Sequence, residues 1–185
     1  MAEFLNKEEQ RALINLARFT LEKWARYGES PTKEEIKRFN ISENLETPSG
    51  VFVSLHKGEN LRGCIGWIAP IKKLIEGVIS NTISASSNDP RFSPVRESEL
   101  KDISIEISVL TPMVEFSSLD EIEIGRDGLY IEKGGRRGLL LPQVAVEWGW
   151  NKKEFLEETC LKAGLSRNAW QKDACLFKFS AQVFH

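Results

Sequence analysis

Val51-Phe52-Val53-Ser54-Leu55-His56, then Lys57-Gly58-Glu59-Asn60, then Leu61-Arg62-Gly63-Cys64-Ile65-Gly66: the reading of this stretch decides the fold. Apolar and polar residues alternate, a polar turn intervenes, and a second segment follows. The pattern predicts a strand-turn-strand hairpin in which successive side chains point to opposite faces. Leu61, Ile65 and Trp67 are expected on the core face with Gly63, and Arg62, Cys64 and Gly66 on the other. A guanidinium two residues from a thiol on one strand face supplies a positive field that favours the thiolate. Gly63 and Gly66, on either side of the cysteine, are expected to leave its surroundings open to another molecule.

Outward from the hairpin, helical and strand patterns are well marked. Asn6 with Glu9 three residues on has the spacing of a capping box, and Leu13, Leu16, Ala17, Leu21 and Trp24 then recur at helical spacing until Tyr27-Gly28. Thr32 with Glu35 opens a shorter helix that fades near Phe39, and residues 40–49 read as a polar connector. Pro70 suits the first position of a helix whose inward stripe is Ile71, Leu74, Ile75, Val78, Ile79 and Thr82. Ile103, Ile105, Ile107 and Val109 alternate with Ser104, Glu106 and Ser108 as in a half-buried strand, stopped by Thr111-Pro112. Leu129–Glu132 and Gly138–Leu141 form a second hairpin about Gly134-Gly135, closed by Pro142. Asn151 with Glu154 caps a helix ending at Gly164, and Cys175, Phe177, Phe179 and Val183 alternate as the inward side of a last strand. Hairpins outnumber strand-helix-strand crossovers. The expected fold is therefore α+β, a mixed, largely antiparallel sheet with flanking helices.

The totals exclude several classes. A chain of 185 residues suits one domain or two closely packed lobes. Apolar residues at 41% and charged residues at 28% are ordinary for a globular protein. Lys+Arg 25 against Asp+Glu 27 leaves a formal charge of -2, so no overall basic field advertises nucleic acid. No apolar run approaches the ~20 residues of a membrane helix. Met1-Ala2-Glu3-Phe4-Leu5-Asn6 does not read as a secretory signal. The odd count of three cysteines, with no C-x-x-C pair, points to free thiols in a reducing, cytoplasmic setting. There are only two histidines, so a metal site is not expected, and a Cys-His hydrolase would have to rely on His56 alone as base.

Three places are candidates for function. Cys64 is either a small buried hydrophobe or a reactive, ligand-contacting thiol. Glu106 points away from its isoleucine neighbours. Its face is either solvated or lines the cleft of Arg62 and Cys64, where the carboxylate would pair with Arg62 or accept a proton. Asp89-Pro90-Arg91-Phe92 is either a rigid turn with a local ion pair or a loop in which Arg91 presents its planar fork to a carboxylate or phosphate. Cys160 and Cys175 are expected to be structural. Lys133–Gly138 reads as a solvated, edge-protecting turn, and Trp148-Gly149-Trp150 as packing at a helix junction. Gly63-Cys64-Ile65-Gly66 matches the GxxG of KH domains in form only, being on a strand with an uncharged centre.

Leu61–Gly66 also resembles the signature of the AMMECR family. The likeness extends through Asp89-Pro90-Arg91-Phe92-Ser93-Pro94, Glu106-Ile107-Ser108-Val109-Leu110, Leu141-Pro142-Gln143-Val144-Ala145 and Cys160-Leu161-Lys162-Ala163-Gly164, in that order, from about Gly50 to the C-terminus. The resemblance implies a single domain over residues 1–185 with a larger and a smaller lobe and a cleft between them. It also implies a place beside Memo-like and radical S-adenosylmethionine proteins in a modification pathway, acting on nucleic acid or a small metabolite. It implies no particular cofactor. Two functions follow. One is a binding module in which Arg62, Gly63, Gly66, Asp89 and Arg91 meet a small anionic ligand, a peptide or nucleic acid. The other is an enzyme or redox-active subunit with Cys64 as nucleophile or attachment point, Arg62 lowering its pKa, and Glu106 or Asp89 handling protons.

Overall fold

The computed structural model describes residues 5–185, so the reading of Met1–Phe4 lies outside the described residues. The chain falls into two compact units, residues 5–110 with 182–185 and residues 111–181. Helices and antiparallel strands make up both, as the α+β expectation has it. No helix of the described residues is long and apolar enough to cross a membrane.

In the first unit α1 (Lys7–Tyr27) starts where Asn6 caps the backbone N–H groups of Glu8 and Glu9 while Glu9 returns to the Asn6 N–H. It ends at Gly28, whose φ of 68° is a left-handed cap that glycine adopts without a Cβ penalty. Thr32 and Glu35 cap α2 (Lys33–Ile36) in the same reciprocal way. β1 (Val51–Lys57) pairs antiparallel with β2 (Asn60–Trp67) on one side and with β3 (Ile103–Leu110) on the other. β2 is therefore an edge strand. Between β2 and β3 lies α3 (Leu74–Ser87), which begins four residues after Pro70 and leaves Ile71 exposed. The proline thus precedes the helix instead of opening it.

Leu13, Leu16, Ala17 and Leu21 of α1, Leu74 and Val78 of α3, Val51, Val53 and Leu55 of β1 and Ile103, Ile105 and Ile107 of β3 form one buried cluster. Each large aliphatic side chain buried there contributes roughly 1.5–3 kcal/mol relative to exposure. Glycine permits α3 to approach the sheet: a Cβ at Gly77 would lie 2.7 Å from Val51, and one at Gly63 2.1 Å from the Ala85 carbonyl oxygen. Asn81, fully buried, donates to the Val51 carbonyl at 2.9 Å and ties the helix to β1.

The second unit pairs β5 (Asp127–Lys133) with β6 (Arg136–Leu140) and with residues 175–180 of β7 (Cys175–Phe184), which also pairs with β4 (Val114–Glu115). Pro142 opens a short helix, α4 (Pro142–Trp148), in addition to closing the hairpin. α5 (Lys152–Lys162) has the Asn151–Glu154 capping box, and Phe155, Leu156, Thr159 and Cys160 are its buried face. Two expectations change. Leu176, between Cys175 and Phe177, enters the core, and Cys175 is exposed. Trp148 is 70% exposed, its ring stacked on Trp150 at 5.9 Å between centroids.

Candidate functional site

The edge strand β2 carries the candidate residues, and its pairing decides where they point. Ser54 stands opposite Cys64, Leu55 opposite Gly63, and His56 opposite Leu61, so a bulge leaves Arg62 without a partner residue on β1. Leu61 consequently shares the face of His56, Ser54 and Phe52, and it is 37% exposed instead of belonging to the core face. A simple alternation cannot carry across the bulge.

The two glycines are filled from within. A Cβ at Gly63 would strike the backbone of α3, and a Cβ at Gly66 would lie 2.3 Å from the Phe52 ring. The space expected to admit another molecule beside Cys64 is taken by Ala85 on one face and Phe52 on the other. Gly63 and Gly66 are packing residues here, because helix and ring come closer than any side chain allows.

Arg62 is likewise engaged. Its Nε and Nη2 donate to the two carboxylate oxygens of Glu99, each at 3.0 Å. The remaining contacts go to the carbonyls of Ser93 (2.9 Å) and Pro94 (3.4 Å). This fork-to-fork pair, with both side chains mostly buried, holds Glu99 down to about 2 and fastens the loop after α3 to the strand. The Arg62 charge is thus answered by Glu99 at hydrogen-bond distance.

The guanidinium that does reach Cys64 is Arg91. The buried carboxylate of Asp89 accepts from the Cys64 N–H at 2.9 Å, from the Arg91 N–H at 3.1 Å, and from Arg91 Nε and Nη2 at 2.9 and 2.7 Å. Arg91 Nη2 also donates to the Cys64 carbonyl at 3.3 Å. Asp89 and Arg91 thus meet the N–H and C=O of one edge residue as a neighbouring strand would, and they blunt the open edge. The Arg91 guanidinium holds the Asp89 carboxyl well below the usual carboxylate range against the opposing push of burial. A carboxylate so held stays ionised near neutral pH.

Cys64 is half-buried, and Ser54 Oγ donates to its Sγ at 3.2 Å. Glu106 stands opposite Ser54 from the other side. Cys64, Ser54 and Glu106 therefore form a row across β2, β1 and β3, with Glu106 two strand spacings of ~4.8 Å from the cysteine. His56 stands one step along the same face, and its Nε2 has no hydrogen-bond partner among the described residues. Of the other thiols, Cys160 is buried and pushed up by that burial, and Cys175 is exposed.

Beside the edge strand lies an open hollow of about 480 Å³, lined by Lys57, Arg62, Arg91, Phe92, Ser93, Arg96, Ser98 and Glu99. Four cations and one carboxylate line it. Arg62 is bound on the wall, but Arg91, Arg96 and Lys57 retain free donors. Nη1 of Arg91 makes no hydrogen bond, and no carboxylate lies within 4 Å of the Arg96 guanidinium, among the described residues. Lys57 reaches Glu99 only at 3.9 Å. Sequence reasoning missed Lys57, Arg96, Ser98 and Glu99. The signal within the chain was the spacing Arg96-Glu97-Ser98-Glu99, in which the Glu99 carboxylate caps the Arg96 N–H at 3.0 Å at the start of the 3-10 turn Glu97–Asp102.

Comparison with known proteins agrees with this fold. A protein of Methanothermobacter thermautotrophicus is 43% identical over 190 residues, covering 98% of this chain and 96% of that one. One of Methanopyrus kandleri is 45% identical over 194 residues, covering 100% and 91%. The crystal structure of a Pyrococcus horikoshii protein, 41% identical, superposes with a TM-score of 0.82 over 92% of this chain and 88% of its own. The profile of the AMMECR1 family matches residues 14–184. The chain belongs to the AMMECR1 family.

Proposed function

We propose that the protein is a binding module for a small anionic ligand, taken into the hollow beside β2. The observation that carries this reading is the excess of cations, Lys57, Arg62, Arg91 and Arg96 against the single lining carboxylate of Glu99. Arg91, Arg96 and Lys57 would contact the ligand, and Arg62 would act as a positioning residue through Glu99 and the loop carbonyls. Charge-assisted hydrogen bonds from such donors are roughly twice as strong as neutral ones. The proposal keeps, as its setting, the modification pathway with Memo-like and radical S-adenosylmethionine proteins that the resemblance implies. Isothermal titration with phosphate, sulfate and malonate at low ionic strength tests it. The expected result is saturable binding of at least one anion, weakened about ten-fold or more in Lys57→Ala/Arg96→Ala. Absence of binding, or binding indifferent to the double substitution, overturns it.

A second reading is favoured by the contact between Ser54 Oγ and Cys64 Sγ, with Glu106 one strand farther on. Here Cys64 is a nucleophile or attachment point. Its alkylation rate is measured in Cys175→Ser, since the exposed Cys175 would otherwise dominate. A rate at neutral pH above that of a simple thiol supports this reading, and an equal or slower rate removes it.

A further inference from the structure

We infer that the ligand of the hollow is a phosphate monoester whose organic portion rests against Phe92; the inference rests on the anion-binding reading and narrows it. Of the positive charges lining the hollow, one is answered by Glu99 and another, from behind, by Asp89, which leaves two. A phosphate monoester carries close to two negative charges near neutral pH and presents three acceptor oxygens from one atom. Three acceptor oxygens suit a hollow lined by several donor-bearing residues, here Lys57, Arg91, Arg96, Ser93 and Ser98. A lone carboxylate leaves one positive charge unanswered, and a dicarboxylate divides its charge between two separated groups. Phe92 is the one aromatic residue of the lining; it is half-buried, with Arg91 held 5.4 Å from its ring centroid. The Arg91 guanidinium lies over the Phe92 ring, so a flat ring attached near the phosphate would meet an aromatic ring and a guanidinium plane already stacked on one another.

A free nucleotide and the 5′ end of a nucleic acid both offer this chemistry, so the probes include each. AMP, ribose 5-phosphate, adenosine and malonate are titrated into the wild-type protein, as is a short single-stranded oligonucleotide with and without a 5′-phosphate. AMP is expected to bind about ten-fold more tightly than ribose 5-phosphate, because base–aromatic stacking adds to the phosphate contacts. Adenosine is expected not to bind measurably, and malonate to bind at least about ten-fold more weakly than AMP. Phe92→Ala should bring AMP down to the ribose 5-phosphate level, and Arg96→Ala should weaken both by about ten-fold.

Acidity supplies an independent readout. The charged groups facing the ligand are Lys57, Arg62, Arg91, Arg96 and Glu99, with Asp89 behind Arg91. Glu99 at about 2, and Asp89 well below the usual range, stay ionised above pH ~5. The second ionisation of a phosphate monoester falls near pH ~6. AMP affinity should then rise about ten-fold between about pH 5 and about pH 7.5, while malonate affinity should change less. Malonate binding as tightly as AMP, or AMP binding unchanged over that range, overturns the phosphate assignment and leaves anion binding standing. Equal affinity of AMP and ribose 5-phosphate overturns the placement at Phe92. Failure of every anion, or indifference of all of them to Arg96→Ala, overturns both the assignment and the binding reading. If the 5′-phosphorylated oligonucleotide outcompetes AMP, the source is a nucleic-acid end; if AMP prevails, it is the free nucleotide. Either ranking upholds the assignment.

Discussion

Each unit holds one buried aspartate covered by an exposed arginine close to it in sequence. In the first, Asp89 is gripped by Arg91; in the second, Asp127 is gripped by Arg126, with contacts from Nε at 2.9 Å and Nη2 at 3.2 Å. The carboxylates are equally buried, and both are held below the usual range. At Asp127 burial is the larger single influence and pushes upward, but Arg126 and the Glu123 N–H together overcome it. The difference lies in the reach of the hydrogen bonds, since Asp127 meets the distant Lys178 Nζ only at 3.9 Å. Asp127 accepts from the N–H of Glu123, four residues back, whereas Asp89 and Arg91 accept from and donate to Cys64, 25 and 27 residues away. One pair tightens a turn. The other closes a sheet edge and joins the exit of α3 to β2, so an ion pair in sequence says little until its far partner is known.

The contrast breaks most readily at the carboxylates. Asp89→Ala removes the acceptor of two backbone N–H groups and should lower stability by about 2–3 kcal/mol, with Asp127→Ala costing about 1–2 kcal/mol, as unmet buried donors do. Urea denaturation compares them, and equal losses would erase the distinction between long and short reach. Amide exchange at Cys64 should speed up in the Asp89 variant alone.

Acid sharpens the same comparison. Asp89, Asp127 and Glu99 all have folded values below their unfolded ones, Glu99 at about 2. Their stabilisation is complete above the unfolded values near pH ~4 and is lost as pH falls through the folded values. Stability should be level above pH ~5 and fall below ~4, and the slope should flatten in Asp89→Asn and in Asp127→Asn. A slope unchanged in Asp89→Asn would show that the pair contributes nothing to acid sensitivity.

The smallest effect belongs to the arginines. Arg91→Lys keeps a charge but loses the fork that spans Asp89 and the Cys64 carbonyl, for about 0.5–1 kcal/mol. Arg126→Lys should cost less, since no distant carbonyl is released. A larger loss for Arg126→Lys would reverse the assignment of roles.

What could be read in the sequence was local. Asn6–Glu9, Thr32–Glu35 and Asn151–Glu154 each announced a helix start, because a capping box is contained within four residues. The hairpin of β1 and β2 and the alternation of β3 were equally legible. The bulge at Arg62 was not, since it arises from the match between two strands and no residue type marks it. Nor were the reasons for Gly63 and Gly66, which depend on Ala85 and Phe52 arriving from elsewhere. Arg62 stands out in the sequence two residues from Cys64, but its partner Glu99 lies 37 positions on. For the row of Cys64, Ser54 and Glu106, alternation gives each residue a face on its own strand, while the strand order that aligns them comes only with the fold.

The three thiols sit at three depths, Cys175 at the surface, Cys64 part-way in and Cys160 sealed within the second unit's core. A timed maleimide pulse read by intact-mass spectrometry would therefore mark Cys175 at once and Cys160 only as fast as that core breathes. The native chain thus carries its own clock for local opening, with no engineered reporter required.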